Sequence, residues 1–425
     1  MMRGAVGIWI LSAVICMGRG HHLNHGHHDH HADDSHGNGQ VDQDTASDGS
    51  ANSLPLVTLA NKEFAYRLYM KLAAHADSEG KNIFFSPFSV SVALAALSTG
   101  AREETHRQLF SGLGFNNTLL TQTDVDQAFQ ILLKTTNNTP PEDTSEGTAV
   151  FVDNNFKAHP EFLEALKQSY LADGFSVNFT QTTDTANTIN KYVEEKTNGK
   201  IDKLVENLDP NTVMYLISYI YYKGMWATPF DPKLTKEDIF MVDENTKVPV
   251  QMMNMEEHFD TYYDRAINTS VLQLPFNSSY SMLLLLPDDM STLENAICPA
   301  HVTKWLKWMT SRTHDVYIPK FSIKTSYTLN DVLIEMGMTH MFDNRANLSG
   351  ISDAHKLAVS DVVHQATLDV DEAGATAAAA TGIGITLMSF RHIPVLKFNR
   401  PFMVVIIERN TEKVLFMGKI INPNI

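Results

Sequence analysis

Only two cysteines stand in the 425 residues, Cys16 and Cys298. If an N-terminal leader is removed, Cys16 leaves with it and no intramolecular disulfide remains. The fold must then be held by its core, and Cys298, in Ala296-Ile297-Cys298, is either open to a mixed disulfide or, the favoured reading, buried. Positive charge is also in deficit. Lys and Arg total 33 against 49 Asp and Glu, a formal charge of -16, which argues against nucleic acid or an anionic membrane as partner. No internal apolar run is long enough to span a bilayer. No G-x-S-x-G elbow, H-E-x-x-H, P-loop or G-x-G-x-x-G after a strand occurs, and Gly382-Ile383-Gly384 lacks the context of a phosphate loop. Neither an enzyme nor a cofactor is therefore expected. There is no repeat of fixed period, and no Pro/Gly/Ser-rich break or charge block after about residue 53. With 43% hydrophobic residues, the chain reads as one large domain, 53–425, behind a tail.

The first twenty residues read as a secretory signal: Arg3, an apolar stretch from Ala5 to Met17, then small and polar residues. That stretch is too short for a membrane anchor, so a secreted, extracellular protein is expected. Six Asn-x-Ser/Thr sequons agree with this, at Asn116, Asn137, Asn178, Asn268, Asn277 and Asn347. Residues 21–52 read as a disordered tail rich in histidine. His21, His22, His25, His27, His28, His30 and His31 lie beside Asp33 and Asp34, and neutral imidazoles on a flexible tail suit weak binding of Zn, Cu or Ni. The plain alternative is a solvated spacer.

Helical spacing dominates early and strand patterning late. Phe64, Leu68 and Leu72 share a face of a helix from about Leu59 to Ala76, and Ser86-Pro87 offers an N-cap followed by proline at the first helical position. Asn211 to Tyr222 reads as a buried central strand, and Val271–Phe276 with Tyr280–Pro287 as a hairpin. This is an α+β pattern.

Between two strand-like segments, Val362–Asp371 and Val395–Ile407, lies a stretch with neither charge after Glu372 nor proline, Glu372 to Ser389. Read at strand period, Ala375, Ala377, Ala379, Thr381, Ile383 and Ile385 share one face. Thr376, Ala378, Ala380, Gly382, Gly384 and Thr386 share the other. Both faces are small enough to enter a sheet, yet glycine and threonine weaken the preference for strand. Four consecutive alanines more often mark a helix turn or a linker; the flanking strands favour a loop able to become a strand.

Five separated motifs resemble the serpin family, in family order: Asn82-Ile83-Phe84-Phe85-Ser86-Pro87-Phe88-Ser89, Tyr222-Lys223-Gly224-Met225-Trp226, Asp371-Glu372-Ala373-Gly374, Phe398-Asn399-Arg400-Pro401-Phe402 and Leu415 to Pro423. The resemblance runs from about Leu54 to Ile425 and is strongest to secreted, alpha-1-antitrypsin-like members. It implies an α+β serpin fold of about three sheets with surrounding helices and an exposed reactive-centre loop. It also implies a monomer and a suicide mechanism, in which a target serine protease cuts the loop and is trapped covalently while the loop inserts into the main sheet.

By the same match, Met388-Ser389 is the bond offered, and the loop hinge comprises Glu372, Gly374, Ala375, Thr376, Ala377, Ala378, Ala379 and Ala380. An unbranched thioether at Met388 suits elastase-like or chymotrypsin-like targets. The segment beyond the bond is about two residues longer than in the resembled members, which leaves cleavage after Phe390 or Arg391 as a rival. Ser86, Ser89, Ser218 and His364 match the gate of the main sheet. Ser218 stands where asparagine is usual, which implies a rearranged or water-filled gate. Trp226 and Lys320 match positions where the loop starts, Lys320 facing Glu372. Asp124–Lys134 forms no basic stripe, against activation by heparin. Two other readings stay open: a non-inhibitory serpin, hormone carrier or chaperone, and a metal scavenger acting through the histidine tail.

Overall fold

A computed structural model describes residues 50–75, 78–137, 143–354, 356–373 and 392–425. The expected signal segment, the histidine ligands His21 to His31, and the loop from Gly374 to Arg391, with its hinge alanines and Met388-Ser389, lie outside the described residues. Among them no helix is long and apolar enough to cross a membrane.

The described helices are α1 (Ser50–Ala74), α2 (Pro87–Ser98), α3 (Glu103–Leu113), α4 (Gln122–Asn137), α5 (Pro160–Tyr170), α6 (Thr182–Lys196), α7 (Met290–Ala296), α8 (Pro299–Trp308) and α9 (Asn330–Glu335). A nine-stranded sheet runs β1 (Ile83–Phe85), β14 (Val414–Ile420), β13 (Phe402–Glu408), β8 (Tyr280–Pro287), β7 (Thr269–Pro275), β6 (Lys247–Asp264), β9 (Thr310–Pro319) and β12 (Val395–Lys397), with β5 (Lys236–Met241) on β6. A five-stranded sheet runs β10 (Phe321–Thr328), β11 (Asp361–Val370), β4 (Met214–Lys223), β2 (Asp143–Asp153) and β3 (Asp173–Val177). Of the roughly three sheets implied by the resemblance, two are fused here into one. The long strand β6 joins them, pairing with β5 through Met241↔Lys247 to Lys236↔Met252, with β9 from Met252 to Thr261, and with β7 from Asp260 to Asp264.

The main helix under the five-stranded sheet is α2. Ser86 caps it, its side chain accepting from Ser89 N, and Pro87 fills the first helical position, where its missing N–H costs nothing. Every residue of α2 is buried, because Val90, Val92, Leu94 and Leu97 leave no polar face. The strand expected near Asn211–Tyr222 is β4, buried along all but its last residue. The expected hairpin is β7–β8, antiparallel in register. Helix α1 starts at Ser50, ahead of Leu59 and inside the expected tail. Cys298, expected to be buried, is half-buried, with its Sγ 3.4 Å from His301 Nδ1.

The core divides into three apolar clusters, and β4 takes part in all of them. Met214 and Leu216 belong to the cluster under α2, Ile220 and Tyr222 to the cluster against the nine-stranded sheet, and Tyr215, Ile217, Tyr219 and Tyr221 to the cluster against α6.

Candidate functional site

β4 and β11 are parallel neighbours, paired from Tyr215↔Asp361 to Tyr222↔Leu368, in the middle of the five-stranded sheet. On the face of β4 that packs against α2 and the nine-stranded sheet, Ser218 is the polar residue between Leu216 of one cluster and Ile220 of the other. Opposite it in register is His364, flanked in the same way by Val362 and Ala366. Two polar side chains thus meet where two apolar cores abut. Both are buried, His364 completely.

Their hydrogen bonds fix the chemistry. His364 Nε2 lies 2.9 Å from the backbone N of Ser86, which can only donate. Nε2 is therefore the acceptor nitrogen, and Nδ1 carries the proton that it gives to Ser218 Oγ at 3.1 Å. Burial pushes the His364 pKa down to about 3, so the ring is neutral. From Ser86 the chain continues: Ser86 Oγ donates to Ser89 Oγ at 2.9 Å, and Ser89 Oγ reaches Glu146 Oε2 at 3.4 Å. Burial pushes the Glu146 carboxyl up, against the pull of Lys413 and Ser89. The four residues Ser86, Ser89, Ser218 and His364 are brought together, and Ser218 still reaches His364 directly. The parallel register sets the two side chains face to face.

The second part is where the chain leaves β11. Trp226 Nε1 donates to Asp371 O at 2.7 Å, Trp226 N to Ala373 O at 3.1 Å, and Phe230 N to Glu372 O at 3.1 Å. The indole is buried and stacks on Phe276 with centroids 4.6 Å apart. Gly224 permits this approach, since a Cβ there would lie 2.4 Å from the Phe276 ring. Lys320 Nζ is 2.8 Å from Glu372 Oε2, as the match implied. Thr235 Oγ1 donates to Glu372 Oε1 at 2.7 Å, and Lys223 pairs with Asp371 at 2.7 Å. Partial burial raises both carboxyls, but Lys320 and Thr235 at Glu372, and Lys223 and the Ala373 N–H at Asp371, outweigh it and hold both below the usual range.

Lys223, Thr235, Phe230 and Glu146 are contacts that the sequence reading missed. Lys223 lay inside a quoted motif, and the signal was a cation ending the strand beside Asp371. The other three carry no motif. Of the sequon asparagines, Asn116, Asn268 and Asn277 are exposed and Asn178 and Asn347 half-buried, while Asn137 ends α4. Asn347 Nδ2 is held by Glu103 Oε2 at 3.1 Å. Among the described residues no cluster of His, Cys, Asp and Glu could hold a metal.

A family model described as Serpin (serine protease inhibitor) matches residues 59–423. The chain belongs to the serpin family. It is 40% identical to the hibernation-specific plasma protein HP-55 of Tamias sibiricus over 98% of each chain, and 41% identical to serpin A3-5 of Bos taurus over 86% of this chain and 89% of that one. Among solved structures, human thyroxine-binding globulin in complex with thyroxine superposes with a TM-score of 0.81 at 34% identity, covering 88% of this chain and 100% of the other. Human glycosylated kallistatin gives 0.80 at 38%, covering 87% and 99%.

Proposed function

We propose that this serpin is a secreted, monomeric suicide inhibitor of an elastase-like or chymotrypsin-like serine protease, cut after Met388. The observation that carries the reading is the parallel β4–β11 pair, with the loop's first residues rooted at one end of it. A chain that leaves the top of β11 and turns back between the two strands runs antiparallel to both. One slanted parallel ladder is replaced by two antiparallel ones, which are slightly more stable per residue.

The segment proposed to insert suits that slot. Ala375 to Met388 is fourteen residues, about 45 Å as a strand at roughly 3.3 Å per residue. A protease attached at Met388 would be carried that far and its oxyanion hole deformed. Insertion must break the Ser218–His364 bond and the contacts of Glu372, so these groups are the proposed gate and hinge. Secretion rests on the leader pattern, with support from a relative that is a plasma protein by name.

The likeness to thyroxine-binding globulin favours one second reading, a carrier that keeps the fold without trapping. A single experiment separates the two. The protein is incubated with elastase, chymotrypsin and trypsin, SDS-resistant complexes are sought, and the released C-terminal peptide is sequenced. Complexes with a peptide starting at Ser389 support the inhibitor; a start at His392 makes Arg391 the bait. Cleavage without complex leaves the carrier.

A further inference from the structure

A cavity of about 450 Å³ lies at the β3 edge of the five-stranded sheet, two strands from β4. Val150 and Val152 of β2 and Gly174 of β3 form its floor, and Phe162 and Leu163 of α5 with Phe156 form its roof. Gly174 keeps the floor low: a Cβ there would lie 2.5 Å from Leu163 Cδ2. Leu163 is 37% exposed at the cavity wall.

The polar groups are few and grouped. Asn154, Lys157 and Ser176 line the same cavity and are exposed. Among the described residues, none of the three side chains makes a hydrogen bond or ion pair. Lys157 is thus an uncommitted cation beside an apolar chamber, on a protein whose formal charge is -16. The volume falls in the range of small-molecule sites, roughly 300–1,000 Å³, which combine apolar walls with a few convergent polar groups.

We propose that this cavity binds an amphipathic monocarboxylate, a fatty acid of medium length, with its chain between β2–β3 and α5 and its carboxylate at Lys157, supported by Ser176 and Asn154. A charge-assisted bond to Lys157 selects carboxylate over alcohol, and the apolar walls supply most of the contact area. The site is independent of the inhibitor reading and needs neither the loop nor a protease.

The test is calorimetric titration of the full chain with dodecanoate below its micelle concentration, with dodecanol as the uncharged probe. One saturable site is expected, tighter for dodecanoate than for dodecanol. Lys157→Met should weaken dodecanoate by about tenfold or more and leave dodecanol unchanged. Leu163→Trp, at a partly exposed position, should fill the cavity and remove both. Melting curves that match wild type show that both variants are folded. Absence of saturable binding, dodecanoate affinity unchanged in Lys157→Met, or binding retained in Leu163→Trp would each overturn the proposal.

Discussion

His364 holds the Ser86 N–H with Nε2 and the Ser218 hydroxyl with Nδ1, and it can do both only as a neutral ring. A proton on Nε2 would face the Ser86 N–H donor to donor. Its folded pKa, about 3, lies below the unfolded value of about 6.5, so the unfolded chain takes up the proton first. The stabilisation is therefore complete above about pH 6.5 and is lost as pH falls towards 3, by up to about 1.4 kcal/mol per pH unit. His364→Gln should cost about 1–3 kcal/mol at pH 7 by leaving buried donors poorly matched. It should also flatten the fall in stability between pH 6.5 and 5, read by urea unfolding at each pH. Equal slopes in variant and wild type would show that this ring does not govern the window. At the loop root the expectation is smaller. The Lys320–Glu372 pair is partly exposed on the lysine side, so Lys320→Met should cost no more than about 1 kcal/mol. If it changes the rate of loop insertion, that effect should appear as a shift between complex and cleaved product, with the melting temperature nearly unmoved.

Strand β11 ends in the segment on which the proposed inhibition turns, and its continuation is testable with one substitution. Ala377→Pro removes a ladder N–H, and proline is tolerated in sheets mainly at edges and bulges; an inserted strand between β4 and β11 would be neither. The variant should be cut as well as wild type, because Met388 lies eleven residues further on, but it should partition to cleaved, released inhibitor. Stoichiometric complex from this variant would remove Ala377 from any inserting strand. The elements that frame this segment were legible to different degrees. The cap of α2 and the buried run of β4 could be read because Ser86-Pro87 and Met214–Tyr222 carry local signals that packing only reinforces. β2 could not: Asp143-Thr-Ser-Glu-Gly has no apolar alternation and is a strand because it pairs with β4. Glu146 was missed for that reason. The start of α1 was misplaced because Pro55 sits within it and its first turn has no acidic residue. The joining of two sheets by β6 is a matter of long-range pairing, which residue patterning does not encode. Ser218 and His364 were named by their match to a family, while their meeting at the border of two apolar clusters required the register.

At the scale of the whole molecule, the proposed inhibitor is a fold whose central sheet has a more favourable arrangement available to it once the loop is cut. In the described structure the β4–β11 pair is parallel and closed by a side-chain bond at Ser218–His364. Inserting a strand of up to fourteen residues exchanges this for two antiparallel ladders and buries the small faces of Ala375–Ala380. At about 1 kcal/mol net for each hydrogen bond gained, the gain is on the order of 10 kcal/mol, enough to raise the melting temperature by about ten degrees or more. Cleavage near Met388 by a catalytic amount of protease should therefore raise the melting temperature of the wild type, and Ala377→Pro should lose most of that rise. Deletion of residues 21–52 offers the contrasting case. It removes the histidines proposed to bind Zn weakly and trims the first residues of α1, but leaves β4, β11 and the loop untouched. Complex formation and the rise after cleavage should survive the deletion, and Zn binding measured by titration should not. If cleavage leaves the wild-type melting temperature where it was, the β4–β11 pair does not open for the loop, and the carrier reading, with its resting fold as the working state, takes its place.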